Sequence, residues 1–325
     1  MPPAPRAGTS PGTPAGRHAG TRTLRIAARG SRLARAQVAL AIEALAAVVP
    51  AAGPGADATE IVTVETEGDR DRTTPLAVLG GRGVFVKAVQ QAVLDGRADL
   101  AVHSLKDVPT EPVAGLVIGA VLARGDARDA LVASGGRRLA ELPAGARVGT
   151  SSPRRAALLR VLRPDIEPVE VRGNVDTRLR LVEEGRCDAV LLALAGLVRL
   201  GRADAATQLF DATEFLPAPG QGAIAIECRS GDERVLALLA AVDHAPTRAA
   251  VEAERGVLAA LGSGCALPVG AHAVVDGDLV ALRAMLVHAE AALPLFGDAA
   301  GPIAQAEQLG RGLGSRLLIE GGGES

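Results

Sequence analysis

Short apolar runs alternate with helical patterns along most of the chain. Residues 24–28 form a mostly apolar segment of strand length, and residues 32–49 repeat Ala, Leu and Ile at the spacing of one helix face. A second strand is predicted over 60–65 and a second helix over 85–95. Because strands and helices alternate, the pattern predicts an α/β domain with a largely parallel sheet.

The same pattern recurs in the second half of the chain. Residues 147–155 again predict a strand, a serine-bearing turn and the start of a helix. Residues 184–190 are similar to residues 95–101, and each segment predicts a helix end followed by a strand. The spacing between these signatures differs in the two copies, which indicates a repeated architecture and not a tandem sequence repeat. Two such α/β lobes facing each other would enclose a cleft.

The pattern changes after about residue 245. A helix is predicted over 248–261, followed by a glycine-rich loop and by short strands over 271–275 and 279–287. These elements predict a third, smaller α+β domain.

Composition narrows the classes of function. The chain has four Phe and no Trp or Tyr, which argues against aromatic platforms for single-stranded nucleic acid. A formal net charge of −2 provides no field that attracts nucleic acid or a membrane surface. The longest apolar runs, such as 189–198, fall short of the ~18 residues that a membrane span needs. We expect a soluble protein with neither a nucleic-acid partner nor a membrane partner.

The first 22 residues differ from the rest in composition. They are rich in Pro, Gly, Ala and Thr. The prolines and glycines disfavour the amphipathic helix that a transit peptide would need. They also contain no apolar core of a secretory signal. We favour a disordered extension over 1–22, with a transit peptide as the alternative.

Three cysteines, Cys187, Cys228 and Cys265, stand far apart in the sequence. Their spacing predicts neither a disulfide framework nor a metal site, and it fits a reducing cytoplasm. Cys187 and Cys228 are interpreted as small buried apolar residues. Cys265 is preceded by glycines in the segment 262–268, where other atoms can approach closely. It is either another buried apolar residue or a point of covalent attachment.

The most informative polar cluster follows the apolar run 100–102. His103, Ser104, Lys106 and Asp107 come in quick succession, and the Val-Pro pair that follows ends the regular structure. Lysine and arginine together number 35, and only Lys87 and Lys106 are lysines. A strand that ends by presenting a hydroxyl, an ammonium and a carboxylate is typical of a site at the edge of an α/β sheet.

Arginines cluster at the predicted junctions of strands and helices. Arg154 and Arg155 follow three hydroxyl residues at a predicted helix N-terminus, where backbone N–H groups favour an anion. Arginine there opposes the helix dipole, so either a negative group is bound or the arginines are simply solvated. Arginine forks bind carboxylates through two hydrogen bonds, and several such clusters indicate a polycarboxylate ligand. The cluster residues are Arg29, Ser31, Thr150, Ser151, Ser152, Arg154, Arg155, Arg172 and Arg178.

These motifs together resemble the porphobilinogen deaminase family over roughly residues 24–320. The resemblance rests on nine segments in order. They are Arg-Gly-Ser at 29–31, Thr-Glu-Gly-Asp at 66–69, Gly-Gly-Arg-Gly-Val-Phe-Val-Lys at 80–87, His-Ser-Leu-Lys-Asp-Val-Pro at 103–109, Gly-Thr-Ser-Ser-Pro-Arg-Arg at 149–155, Arg-Gly-Asn-Val at 172–175, Leu-Ala-Gly-Leu-Val-Arg-Leu at 194–200, Pro-Gly-Gln-Gly at 219–222 and Gly-Cys at 264–265.

The resemblance implies an activity and a cofactor. A member of this family joins four porphobilinogen molecules head to tail into hydroxymethylbilane and releases ammonia at each step. It carries one dipyrromethane cofactor, made from its own substrate and thioether-linked to a cysteine, which corresponds to Cys265. The resemblance implies no metal.

The resemblance also implies roles for individual residues. Asp107 corresponds to the catalytic carboxylate. Lys106 beside it is either a contact for carboxylates or a positive charge that offsets the carboxylate of Asp107. The residues implied to hold the cofactor are Cys265, Ser104, Asp107, Thr150, Ser151, Ser152, Arg154, Arg155 and Arg172. The residues implied to hold substrate are Arg29, Ser31, Phe85, Arg172, Arg178, Arg199 and Gln221.

The expected fold is two similar doubly wound α/β lobes of the periplasmic-binding-protein kind around a cleft, with a smaller α+β C-terminal domain. We expect a monomer. The expected domains are an extension over 1–22, α/β domain 1 over 23–122 and 223–242, α/β domain 2 over 126–218, and α+β domain 3 over 245–320, which carries the cofactor.

Some positions depart from the family pattern. Val78 and Arg82 stand where lysines are usual, and Pro153 and Ala266 also differ. None of these changes removes the carboxylate, the thiol or the main arginines, so we expect the chemistry to survive. The alternatives are a two-lobed solute-binding protein without catalysis, which has no need for the aspartate and cysteine, and an inactive homologue, which would be expected to lose them.

Overall fold

The computed structural model describes residues 23–48, 59–66, 68, 83, 85–262, 268–287 and 293–322. The expected extension over 1–22, most of the 66–84 segment with Val78 and Arg82, and Cys265 with Ala266 lie outside the described residues. Within the described residues, no helix combines the length and the apolar character needed to cross a membrane.

The described residues form thirteen strands and eight α-helices. The strands are β1 (Leu24–Arg29), β2 (Thr59–Val64), β3 (Leu100–Ser104), β4 (Leu116–Val121), β5 (Asp129–Ala133), β6 (Arg147–Gly149), β7 (Glu167–Val169), β8 (Ala189–Ala193), β9 (Gln208–Leu209), β10 (Ile224–Arg229), β11 (Val269–Asp276), β12 (Leu279–Leu286) and β13 (Leu295–Pro302). The helices are α1 (Arg32–Val48), α2 (Lys87–Leu94), α3 (Pro153–Leu162), α4 (Val175–Glu183), α5 (Leu194–Arg199), α6 (Glu233–Ala240), α7 (Ala245–Ala260) and α8 (Ala306–Glu320).

Lobe 1 is a five-stranded sheet with the strand order β2-β1-β3-β10-β4. One face packs against α1 and α6, and the other face packs against α2. Strand β3 is buried over Leu100–His103 because it lies in the middle of the sheet and has helices on both sides. The prediction of a doubly wound lobe is confirmed.

Lobe 2 repeats this design with the strand order β7-β6-β8-β5-β9. Strand β5 alternates between two cores, since Leu131 packs with α3 while Ala130 and Val132 pack with α4. The prediction of a repeated architecture is confirmed.

Each sheet is largely parallel, as predicted, since four of its five strands run in one direction, but one strand in each runs against the others. In lobe 1, β1 pairs with β2 and β3 in parallel, but β10 is antiparallel to both β3 and β4. In lobe 2, β5 is antiparallel to β8 and β9. The reason in lobe 1 is topological. Strand β10 is the chain returning from lobe 2, and it enters the sheet from the end that faces the other lobe.

Two connections, residues 122–128 and 210–223, join the lobes and are called the hinge below. Their backbones touch where the N–H of Gly125 donates to the carbonyl of Gly222 at 3.1 Å. Gly222 has a φ of +90°, and a Cβ there would collide with the Gly125 carbonyl oxygen. Glycine is therefore required for this close approach.

Domain 3 is the antiparallel sheet β11-β12-β13 covered by α7 and α8. These two helices cross at small residues, where a Cβ on Gly256 or Gly310 would meet the backbone of the other helix. Helix α7 begins three residues earlier than the sequence pattern predicts. The reason is that the Nδ1 atom of His244 caps it by accepting from the N–H of Thr247 at 3.2 Å.

Candidate active site

The conspicuous polar segment forms a single 3-10 turn, Leu105–Asp107, called the Asp107 turn below. It directly follows β3, and the N–H of Leu105 donates to the carbonyl of Ala223 at 3.1 Å. The Leu105 side chain is buried, whereas Lys106 and Asp107 are half-buried. The turn therefore presents an ammonium and a carboxylate at the edge of the lobe 1 sheet where the chain enters from the hinge.

His103 does not join this polar pair. Its side chain is buried inside lobe 1, with Nε2 at 3.0 Å from Oε2 of Glu227. Both oxygens of Glu227 also accept from the Gln90 amide, at 3.1 and 3.0 Å. A buried carboxylate with this many partners supports the strand interior and is no part of the cleft.

A cavity of about 70 Å³ in lobe 1 brings several of the expected site residues together. The guanidinium of Arg29 lies 4.2 Å from the ring centroid of Phe85, a cation–π contact. Ser31 caps α1 by accepting from the N–H of Ala34 at 3.2 Å. The expected residues that line the cavity are Arg29, Ser31, Phe85, Ser104 and Asp107.

Gln37 also lines this cavity and was missed from the sequence. Its amide donates to the hydroxyl of Ser104 at 2.7 Å, and its side chain is buried. The available signal was a glutamine on the buried face of α1, between Ala34 and Val38. A buried amide needs a polar partner, and here that partner is an expected site residue.

In lobe 2, Arg154 and Arg155 hold a carboxylate that belongs to the protein itself. Nη2 of Arg154 lies 2.8 Å from Oδ2 of Asp129, and Nη2 of Arg155 lies 2.6 Å from Oδ1. Arg155 also donates to the carbonyl of Leu191 at 2.9 Å. All three charged side chains are buried. Burial opposes the ionised carboxyl, but the two guanidinium groups hold the pKa of Asp129 well below its usual range.

Of the two alternatives, solvated arginines are excluded, and the negative group that the arginines bind is the side chain of Asp129. Asp129 was missed because it reads as the first residue of an apolar strand, Asp-Ala-Leu-Val-Ala. A charged residue leading a fully buried strand was the available signal, since such residues are almost never buried unless paired.

The hydroxyl residues before α3 form a connected group. Ser152 is the N-cap and accepts from the N–H of Arg155, and Thr150 accepts from the N–H of Ser152 at 3.1 Å. The hydroxyl of Ser151 accepts from Nη2 of Arg178 at 3.0 Å. Burial, together with the neighbouring Arg155 and Arg172, lowers the pKa of Arg178 to about 10. Arg155 and Arg172 therefore lie close enough to Arg178 to act on its charge.

Gln221 connects the two lobes. Its side chain is fully buried, and its amide donates to the carbonyl of Ala127 at 2.7 Å and to Oδ1 of Asp129 at 2.9 Å. Its carbonyl oxygen accepts from Nζ of Lys106 at 3.2 Å. The structure thus places Gln221 in the hinge, between the Asp107 turn and the arginine pair.

The same surroundings affect the ionisation of Lys106. Burial, and after it the positive charge of Arg155, lowers the pKa of Lys106 to about 8. Asp107 and Asp129 act in the opposite direction without cancelling the shift. An incoming carboxylate would favour the charged ammonium.

Two other expected residues lie elsewhere. Nη2 of Arg199 donates to the carbonyl of Gly222 in the hinge at 2.6 Å, and burial lowers its pKa. Arg172 lines a separate cavity of about 370 Å³, with Arg147 and Arg186. Neither Arg172 nor Arg199 lines the lobe 1 cavity.

The two described cysteines are poor nucleophiles. Cys187 and Cys228 are buried, and burial raises the pKa of both thiols, that of Cys228 to about 11. Their prediction as small buried residues agrees with this placement. Within the described residues, no group of His, Cys, Asp and Glu is suited to hold a metal ion. The chemistry that the described site offers is carboxylate binding around the half-buried carboxylate of Asp107.

Comparison with known proteins identifies close relatives. The profile described as "Porphobilinogen deaminase, dipyromethane cofactor binding domain" matches residues 24–237, and the profile "Porphobilinogen deaminase, C-terminal domain" matches residues 248–319. Porphobilinogen deaminase of Leifsonia xyli subsp. xyli is 51% identical over 306 residues, 91% of each chain. Porphobilinogen deaminase of Acidothermus cellulolyticus is 47% identical over 302 residues, 92% of this chain and 89% of the relative.

The similarity to solved structures is weaker than the similarity to these relatives. The periplasmic VFT2 domain of Bordetella pertussis BvgS covers 68% of this chain and 86% of its own length at 15% identity, with a TM-score of 0.37. A score this low carries no argument about function.

Proposed function

The chain belongs to the porphobilinogen deaminase family, and from that premise we propose how its cleft performs the family reaction. The chain is an enzyme, a hydroxymethylbilane synthase. It condenses four porphobilinogen molecules head to tail into hydroxymethylbilane and releases four ammonia molecules, as a step of tetrapyrrole biosynthesis. A dipyrromethane cofactor serves as the primer.

The grouping of cationic side chains on both sides of the hinge is the observation that carries this assignment. Each porphobilinogen has an acetate and a propionate side chain, so the cofactor and the growing chain are polyanions. Burial is the first cause of the lowered pKa values of Lys106 and Arg178, and repulsion from the nearby charge of Arg155 adds to both shifts. Carboxylates bound there would relieve this repulsion, and the hydroxyls of Thr150, Ser151 and Ser152 add hydrogen-bond donors.

The cofactor supplies a nucleophilic pyrrole carbon for the first condensation. Among the residues expected to hold it, Ser104 and Asp107 lie in lobe 1, and the hydroxyl and arginine group lies in lobe 2. Arg154 and Arg155 are anchored by Asp129, so they are held in a fixed position. The proposed cofactor residues are Cys265, Ser104, Asp107, Thr150, Ser151, Ser152, Arg154, Arg155 and Arg172.

Asp107 acts on the cation that forms in the reaction. When ammonia leaves porphobilinogen, positive charge spreads over the pyrrole ring and its nitrogen. A carboxylate already held at the edge of β3 stabilises that charge without reorganisation and accepts hydrogen bonds from pyrrole N–H groups. Lys106 beside it contributes as a contact for substrate carboxylates.

Substrate binding is proposed for the lobe 1 cavity. Arg29 is suited to pair with a substrate carboxylate, and Phe85 both orients that guanidinium and offers a face to the pyrrole ring. Gln221 is proposed to act through Lys106 and Asp129 and not by direct contact, because it is fully buried. The substrate contacts proposed in this cavity are Arg29, Ser31 and Phe85, and those proposed outside it are Arg172, Arg178 and Arg199.

The alternative of a solute-binding protein without catalysis is not favoured, since relatives about half identical over most of the chain are deaminases.

We further propose a monomer that works in the cytoplasm. The two buried thiols fit a reducing compartment.

Intact-mass measurement tests the proposed attachment at Cys265. We expect the purified protein to exceed its sequence mass by two pyrrole units, because the primer is a dipyrromethane held by a thioether. Cys265→Ser should lose this increment, whereas Cys187→Ser, at a buried thiol in lobe 2, should keep it. An unmodified mass in a fully active protein would refute the cofactor attachment, and equal losses in both variants would refute the choice of cysteine.

The pKa of Lys106 predicts how loading of the cofactor-free protein depends on pH. A lysine with a pKa of about 8 is about nine-tenths neutral one pH unit higher, so incorporation of porphobilinogen should slow about tenfold by pH 9. Lys106→Arg, which stays charged, should show no decline over this range. Lys87→Arg changes the exposed second lysine and should follow the wild type. Mass spectrometry after timed incubation measures loading, and an identical decline in all three proteins would exclude Lys106 as its cause.

A further inference from the structure

Helix α7 belongs to domain 3, yet one of its faces contacts the end of the Asp107 turn. Arg255 donates from Nη1 to the carbonyl of Val108 at 2.8 Å and from Nη2 to the carbonyl of Pro109 at 2.7 Å. Val251, one helical turn earlier, packs in one buried cluster with Leu105 and Val108. The turn that presents Asp107 is thus held by an apolar contact and by a two-armed hydrogen bond from the same helix.

Helix α7 is itself held in place by Glu254, the residue before Arg255. This fully buried carboxylate accepts from Nη1 and Nη2 of Arg124 in the hinge, at 2.6 and 3.0 Å. It also accepts from the N–H of Gly220 at 2.7 Å and from the N–H of Ala273 in β11 at 2.8 Å. Four charge-assisted bonds tie this point of the helix to the hinge and to its own sheet, so Arg255 extends from a rigid base.

The chemistry of the contact requires a guanidinium. Pro109 has no N–H, so the chain after the turn cannot be anchored there by a backbone donor. The two carbonyls are consecutive, and a planar fork can bind both at once, whereas a lysine ammonium is a single point of charge. The interaction reaches across 147 residues of sequence.

We infer that Arg255 is a positioning residue of the condensation reaction, which holds the Asp107 carboxylate in a fixed relation to domain 3. Helix α7 ends at Ala260, and Cys265 follows five residues later in the sequence. The same helix thus contacts the turn that carries Asp107 and precedes Cys265 in the sequence. This inference rests on the proposed function of Asp107 and Cys265.

The test compares Arg255→Gln and Arg255→Lys with Arg311→Gln. Arg311 lies in the same domain on α8 and makes an exposed ion pair with Glu307 at 2.9 Å, so it is a matched control. Each protein is checked for cofactor by intact mass, and kcat and KM are determined per cofactor-loaded molecule. Small misplacements of a reacting group cost up to about 10²-fold in rate. We expect kcat to fall about 10- to 100-fold in Arg255→Gln and less in Arg255→Lys, with KM changed less than about threefold.

The results distinguish a positioning role of Arg255 from a merely structural one. A lower melting temperature with an unchanged kcat per loaded molecule would show a merely structural role and overturn the inference. Where Arg255→Gln fails to fold, Arg255→Lys decides, because it keeps the charge and loses only the fork, and a wild-type kcat in it would also overturn the inference. A wild-type protein without pyrrole mass and without turnover would instead refute the proposed function.

Discussion

Replacing Asp107 by alanine should leave a folded protein whose turnover falls roughly 10²- to 10³-fold, the usual loss when one preorganised electrostatic group is removed. The fold should survive, because Asp107 is half-buried at the end of a turn whose core contact is Leu105. The loss should appear in kcat with little change in KM, since the carboxylate acts on a charge that exists only as ammonia leaves.

Asp107→Asn tests the effect of the charge alone, because the amide keeps the shape of the side chain and removes its negative charge. If charge stabilisation is the role of Asp107, the asparagine variant should be nearly as slow as the alanine variant. Asp204→Asn, at an exposed aspartate of lobe 2, is the control and should keep normal rates. Steady-state rates per cofactor-loaded molecule decide the matter, and a near-normal rate in either Asp107 variant would remove its catalytic role.

The second large effect concerns stability. Asp129→Ala should lower the free energy of unfolding by about 3–5 kcal/mol, because it leaves Arg154 and Arg155 buried without their shared carboxylate. Gln221 would also lose the partner at 2.9 Å that ties it to lobe 2. Urea unfolding followed by circular dichroism measures the change.

The control for this variant lies three residues away. Asp126 pairs with Arg128 at 2.7 Å, but both side chains are at least one-third exposed. Such a surface pair contributes about 0–1 kcal/mol, so Asp126→Ala should change the unfolding free energy by no more than that. Equal effects of the two substitutions would contradict the structural role assigned to Asp129.

The pH dependence of stability provides an independent readout for Asp129. Its pKa is lower in the folded protein than the ordinary value of 3.8, so its contribution is complete above that value and is lost as the pH falls below it. Asp129→Asn removes the contribution at every pH. The difference in stability between wild type and this variant should therefore shrink in acid below about pH 4.

Much of the fold follows from local pattern. The run 100–102 and the Val-Pro pair after Asp107 predicted a strand end that presents polar groups, and β3 and the Asp107 turn have that form. The serines before α1 and α3 predicted helix starts, and both serve as caps. These features depend on residues within a few positions of one another, which is why sequence alone suffices.

The mixed sheets were not predictable in the same way. Strand β10 has the apolar character of any buried strand, and nothing local distinguishes an antiparallel neighbour from a parallel one. Its direction is determined by the return of the chain from lobe 2. The same holds for Gln37 and Asp129, whose partners Ser104 and Arg155 stand 67 and 26 residues away.

By itself, the sequence determined which groups are available at the cleft. It identified Asp107 and Lys106 at a strand end, arginines at helix starts, and a cysteine near glycines, because local geometry and side-chain chemistry act over short separations. Only the tertiary structure decided what those groups are bound to. The arginine pair is anchored by Asp129, and Lys106 donates to Gln221 in the hinge. Arg255 donates to the backbone directly after Asp107. Burial makes such partners obligatory, since a charge removed from water needs a counter-charge or a hydrogen bond, but it does not specify from which part of the chain the partner comes.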